Sequence, residues 1–228
     1  MKDSLAHDLS EAAKRIFVSG SPYDPTFATD SIARTLLAPT SGSMLDRAQF
    51  DAVGRAHAAG GGGPVYVVPL SDFGLEFDSQ RDSGAAFADD FRSLGKGRPG
   101  AAPVWAESGL YPIDFGDPTT YYSEEYRAYM SIESIFVPAS GAWGVLVAED
   151  DFAVAAGSPR FIEHLLAYVG HQIEEMARTF IRQQGEWAGS VLPVGWSLRL
   201  LETIYGPTEA DRLTRLGCGE DPEAEPPK

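Results

Sequence analysis

Along residues 130–182 the apolar positions change period once, and the rest of the chain is arranged around that change. Three short runs come first: Ile132-Glu133-Ser134-Ile135-Phe136-Val137, Trp143-Gly144-Val145-Leu146-Val147 and Phe152-Ala153-Val154-Ala155. Pro138-Ala139-Ser140-Gly141 and Glu149-Asp150-Asp151 separate them, and both stretches consist of turn residues. Runs this short and this rich in β-branched and aromatic residues read as strands. In the second run Trp143, Val145 and Val147 fall on one side and Gly144, Leu146 and Ala148 on the other. Apolar groups therefore lie on both sides, and the sheet is expected to be covered on both faces.

At Gly157-Ser158-Pro159 the period becomes helical. Ser158 suits the N-cap and Pro159 the first helical position, where a missing N–H leaves no bond unmade. Ile162, Leu165, Leu166, Val169, Ile173, Met176, Ala177 and Phe180 then share one sector of a wheel drawn at about 100° per residue. The pattern predicts a single long amphipathic helix that ends near Gln183-Gln184-Gly185.

Upstream, Leu5, Leu9, Ala12, Ala13 and Ile16 predict a helix over 4–17, stopped by Gly20 and Pro22. Within the polar connection 19–43, Ile32, Leu36 and Leu37 suggest a short helix that Asp30 caps and Pro39 ends. Leu45, Ala48, Phe50, Val53 and Ala56 predict a helix over 44–59, followed by four glycines and Pro64. Val65 to Leu70 reads as a strand inside the sheet, and the alternating Phe73, Leu75 and Phe77 as its half-exposed hairpin partner. A short helix over 84–94 and small strands at Val104-Trp105 and Leu110-Tyr111 follow. Ser123 is placed to cap another helix, with Glu124 and Glu125 in its first turn and Tyr122, Tyr126 and Tyr129 near one face. The chain closes with helices over 194–204 and 208–216 and an acidic, Pro-rich tail, 217–228, expected to be disordered.

These elements give an α+β fold in two layers. A mostly antiparallel sheet of five to seven short strands carries the long C-terminal amphipathic helix on one face and is preceded by N-terminal helices. Residues 1–216 form a single domain, with 1–43 as an N-terminal helical arm.

Composition narrows the function classes. The 228 residues hold 18 Lys and Arg against 33 Asp and Glu, a net charge of −15. That field repels nucleic acid and anionic lipid and favours a basic protein partner. No apolar run of about 18 residues exists to span a membrane, and residues 1–8 lack a leader's apolar stretch, so a cytoplasmic location is expected. The single cysteine, Cys218, excludes an intramolecular disulfide and any multi-cysteine metal site.

Candidate chemistry is sparse. Gly60 to Gly63 lacks the Lys-Ser/Thr ending of a phosphate loop and has the helix before it and the strand after it, the reverse of that motif. His164, His171 and Glu175 share a stripe of the predicted long helix, but opposite its apolar sector, as a solvated face would. Glu149-Asp150-Asp151 lacks the ligand spacing of a calcium loop. The helix start at Ser158 with Arg160 could hold an anion, as any capped helix could, and 95–100 is a short basic loop. Nucleophile-elbow, Ser-x-x-Lys, His-Glu-x-x-His and dinucleotide-binding motifs are absent. Glu107, Asp114, Asp117 and Glu133 stand near predicted strand ends as the remaining acid–base candidates.

No metal or cofactor is therefore expected. The leading expectation is a non-catalytic protein-binding module, an inhibitor or immunity-type protein acting on a basic partner. The stretch expected to meet that partner is rich in tyrosine and acid: Tyr111, Tyr121, Tyr122, Glu124, Glu125, Tyr126 and Tyr129. The alternative is an enzyme or small-molecule binder whose pocket lies between the sheet and loops 71–120, with Glu107, Tyr111 or Glu133 converging on it.

Overall fold

The computed structural model describes residues 2–18, 21–70, 111–123, 133–170, 172–187 and 195–219. Helix α1 (Lys2–Lys14) is followed by strand β1 (Ala33–Leu37), helix α2 (Arg47–Ala59) and strands β2 (Val65–Pro69) and β3 (Tyr111–Ile113). A single helical turn, α3 (Pro118–Tyr121), precedes β4 (Ser134–Pro138), β5 (Trp143–Val147) and β6 (Ala153–Gly157). Helices α4 (Pro159–Val169), α5 (Ile173–Trp187), α6 (Gly195–Tyr205) and α7 (Pro207–Gly217) complete the described chain. The expected elements at 73–77, 84–94 and 104–105 lie outside the described residues.

Six antiparallel strands form one sheet in the order β1-β6-β5-β4-β2-β3, so the fold is α+β as its sequence predicts. Strands β4, β5 and β6 occupy the three apolar runs, and every residue of each is buried. β2 lies between β3 and β4, which explains its nearly continuous apolar sequence.

Side-chain alternation divides the core by face. Phe136, Val145, Val147 and Ala155 pack with Phe50 and Val53 of α2 and with Phe161 and Leu165 of α4. Ile135, Val137 and Leu146 meet Leu9, Ala13 and Phe17 at and just beyond α1 on the opposite face. Helices thus cover both faces, as the apolar residues on both sides of the 143–148 run predict, and the layers number three rather than the two of the expected arrangement. Full burial of each such side chain is worth about 1.5–3 kcal/mol. Gly144 permits a close approach between sheet and cover: a Cβ there would stand 2.7 Å from the Phe17 ring.

Local signals hold where the chain settles its own ends. Asp46 and Gln49 form a reciprocal capping box at the start of α2, with the Gln49 N–H 2.8 Å from the Asp46 carboxylate. Ser158 caps α4, with Pro159 following it.

Two expectations fail. Residues 33–37 form a strand, because Leu36 and Leu37 are both fully buried beside β6 and Pro39 biases the chain before it toward extended backbone. Within the described part of 1–43, β1 is a strand of the sheet and α1 packs against one of its faces. The long helix is two helices, because Gly170 takes a left-handed φ of 75° and closes α4. The wheel hides this break, since the apolar phase resumes beyond it. Among the described residues no helix is long and apolar enough to cross a membrane.

Candidate functional site

Antiparallel register gathers carboxylates at one end of the sheet. Ser134 pairs with Val147, so Glu133, just before β4, lies beside the turn Glu149-Asp150-Asp151 that joins β5 to β6. The turn is firmly built. Ala148 N–H donates to the Phe152 carbonyl at 3.0 Å, and Asp151 adopts a left-handed φ of 59°. Gly42 N–H donates to the Asp151 carboxylate at 2.6 Å, and Thr40 N–H to its carbonyl at 2.9 Å. Gln184 of α5 donates to the Asp150 carbonyl at 3.0 Å.

Half-buried Tyr23 lies beside this group. Its ring meets Phe152 and Trp196 edge-on, at 5.4 and 5.1 Å. Burial pushes its phenol far above the ordinary tyrosine range, and the negative charges of Asp150, Glu133 and Glu149 push the same way. Glu149 is exposed, whereas Glu133 and Asp150 are half-buried. The arrangement presents negative charge on a rigid support and suits a cationic group. Among the described residues no His, Cys, Asp and Glu side chains group so as to hold a metal ion.

The opposite end of the sheet has a different character. A cleft of about 90 Å³ lies between the glycine turn after α2 and the start of α4. His57 lies at its edge, 8% exposed, with both ring nitrogens engaged. Nε2–H donates to the Gly63 carbonyl at 2.9 Å, and Nδ1 accepts from the Trp143 indole N–H at 3.2 Å. Those partners fix the tautomer and leave no nitrogen for proton transfer. Trp143 in turn stacks on Phe161 at 4.8 Å. Arg160 and His164, one turn apart on α4, line the cleft and make no ion pair or hydrogen bond among the described residues. The glycine run is a connector, with positive φ at Gly61, Gly62 and Gly63.

The tyrosine stretch divides. Tyr111 and Tyr121 are 2% and 1% exposed, so both rings belong to the core and offer no surface to a partner. Tyr121 stacks on Phe50 at 4.5 Å, and its hydroxyl accepts the Leu45 N–H at 2.7 Å. Half-buried Tyr122 donates to the Leu45 carbonyl at 3.2 Å. Glu124, Glu125, Tyr126 and Tyr129, the helix expected after Ser123, and Glu107 lie outside the described residues.

Two further candidates are local fixtures. Asp114 accepts from the Gly116 N–H at 2.8 Å, and Asp117 accepts from the Thr119 hydroxyl and N–H, bonds that hold its carboxyl below the usual range. The His164 and Glu175 stripe is divided by the Gly170 break, and His171 lies outside the described residues.

Sequence reasoning passed over Tyr23 and His57. His57 follows Phe50 and Val53 at helical spacing on the buried side of α2, which is a readable signal. Tyr23 offers none, because only tertiary packing of its ring on Phe152 and Trp196 brings it to the acidic turn. No known protein-family model matches the chain, and neither does any curated protein or solved structure.

Proposed function

We propose that the protein is a non-catalytic binding module of the inhibitor or immunity type that engages a basic protein partner through the acidic end of its sheet. The observation that carries this reading is the sheet register that sets Glu133 beside Glu149 and Asp150, next to half-buried Tyr23, in a chain of net charge −15. Anchoring the turn to Gly42, Thr40 and Gln184 lowers the ordering cost of docking, and the molecular field speeds encounter with a cation.

The test is affinity capture from the native host, followed by kinetics with the captured protein. Neutralising the patch with E133Q, E149Q and D150N is compared with neutralising three exposed carboxylates elsewhere through E163Q, E202Q and D211N. Both triples remove the same charge. A stoichiometric, salt-sensitive complex weakened roughly tenfold or more by the first triple alone supports the reading, given the size of charge-pair couplings across interfaces. Equal weakening by both triples, or no stoichiometric partner, defeats it.

A second reading, a binder of a small anionic group, is favoured by Arg160 and His164 at the cleft, which make no ion pair among the described residues. The cleft's volume of about 90 Å³ suits one oxyanion and falls well below the roughly 300–1,000 Å³ of ordinary ligand pockets. Saturable binding of inorganic phosphate that R160Q abolishes would favour it over the first.

A further inference from the structure

β1 ends the sheet order, so among the described residues one side of it has no neighbouring strand. Leu36 N–H does not bond to β6 but donates to the Tyr205 hydroxyl at 3.0 Å, and it therefore faces outward. Thr35 Oγ1 lies 3.3 Å from both the Leu36 carbonyl and the Tyr205 hydroxyl. One set of proton directions satisfies all three contacts: Leu36 N–H to Tyr205, Tyr205 O–H to Thr35, and Thr35 O–H to the Leu36 carbonyl. Two side chains thereby satisfy the donor and the acceptor that a neighbouring strand would have used. A second tie lies one register pair away, where the Arg34 guanidinium donates to the Thr203 carbonyl in the last turn of α6 at 2.7 Å.

The apolar contacts of this region are equally local. Leu200, Leu201 and Ile204 of α6 and Ala210 of α7 share a cluster with Leu36, Val154, Phe152 and Phe180. Its sheet residues come from β1 and β6 and the turn before β6, while the strands from β2 to β5, joined by Leu37 of β1 and Ala153, Ala155 and Ala156 of β6, build the other two clusters. α7 packs on α5 and α6.

We propose that α6 and α7 form a strap over the β1 edge that lifts as one unit, uncovering the outward backbone groups of Arg34 and Leu36 while β2–β5 stay folded. Exposed strand edges are sites of chain pairing, so the strap governs access to one. Opening of a contiguous unit below the global unfolding free energy is the expected behaviour of such an element.

Native-state amide exchange on the full chain tests this, using Tyr205→Phe and Arg34→Gln. Each removes one tie, so the test survives if one variant fails to fold. The expected result is that the amides of Leu36 and of 197–205 exchange roughly tenfold faster or more, the scale of one lost buried hydrogen bond. The amides of Phe136 and Val145 should stay within about twofold of the parent, since their own bonds are untouched. Tyr121→Phe, which removes a buried hydroxyl from the far side of the sheet, should leave 197–205 unaccelerated relative to Phe136 and Val145. Equal acceleration of the strap and the β4–β5 amides would overturn the proposal, as would an unchanged Leu36 amide in both variants.

Discussion

Replacing Tyr121 with phenylalanine removes one hydroxyl and leaves its ring in place. The stacking on Phe50 at 4.5 Å and the edge contact with Phe136 at 5.5 Å survive, so the apolar contribution is unchanged. What is lost is the acceptor for the Leu45 N–H, at 2.7 Å, in a site where the tyrosine is 1% exposed. An unsatisfied buried N–H costs about 1–3 kcal/mol. For a chain of this size the midpoint of thermal unfolding should fall by about 2–4 °C per kcal/mol. The comparison with Tyr122→Phe sharpens the argument, because that hydroxyl serves the carbonyl of the same residue from a half-buried position, where water can replace it. The smaller loss there should be about 0.5–1.5 kcal/mol. Urea unfolding of both variants at neutral pH provides the measurement, and partner capture is repeated on each. If Tyr121→Phe keeps its stability within about 0.5 kcal/mol, the margin of an ordinary surface change, and yet loses partner binding, the residue acts at a surface and the core assignment is wrong.

Other consequences are accessible to the same assays. Gly144→Ala would place a Cβ 2.7 Å from the Phe17 ring and should cost about 1–3 kcal/mol by overpacking, read as a lower urea midpoint. Asp151→Ala keeps the strained φ of 59° but removes the acceptor for Gly42 N–H, and it should destabilise more than Asp151→Asn, which retains an acceptor and tolerates left-handed backbone. Arg212 joins Glu209 at 2.7 Å and Glu174 at 3.1 Å, and its hydrogen bond holds the Glu209 carboxyl below its usual value. A depressed folded-state carboxyl contributes stability above the unfolded value of about 4.3 and loses it as pH falls through the folded one. The stability gap between the parent and Arg212→Gln should therefore be widest near neutral pH and narrow on acidification. A gap that widens in acid would refute that account.

The strands of 132–155 were legible because each is short, apolar and bounded by its own turn residues. The caps at Asp46 and Ser158 are local too, and the chain declares them within four residues. β1 was not legible, since Leu36 and Leu37 fit a helical turn as readily as a strand. Its state is decided by pairing with residues 153–157. Gly170 was present in the sequence, but the apolar period conceals its effect. The same asymmetry holds at the site. Glu149 to Asp151 announce a turn, whereas only the assembled register brings Glu133 to it, and only packing on Phe152 and Trp196 brings Tyr23.

The strand order also constrains when the molecule can be completed during synthesis. Ala33 of β1 pairs with Gly157 of β6, about 120 residues later in the chain. At translation rates of about 5–20 residues per second, β1 waits roughly 6–24 s for its partner. β2 and β4 must meet across a connection of more than 60 residues, so among the described strands short hairpin pairing is confined to β4, β5 and β6. That meander is the natural template on the ribosome, and the N-terminal strand is recruited to it from behind. Tyr205 emerges later still, so every nascent copy passes through an interval in which the sheet can be assembled and its β1 edge remains open to other chains.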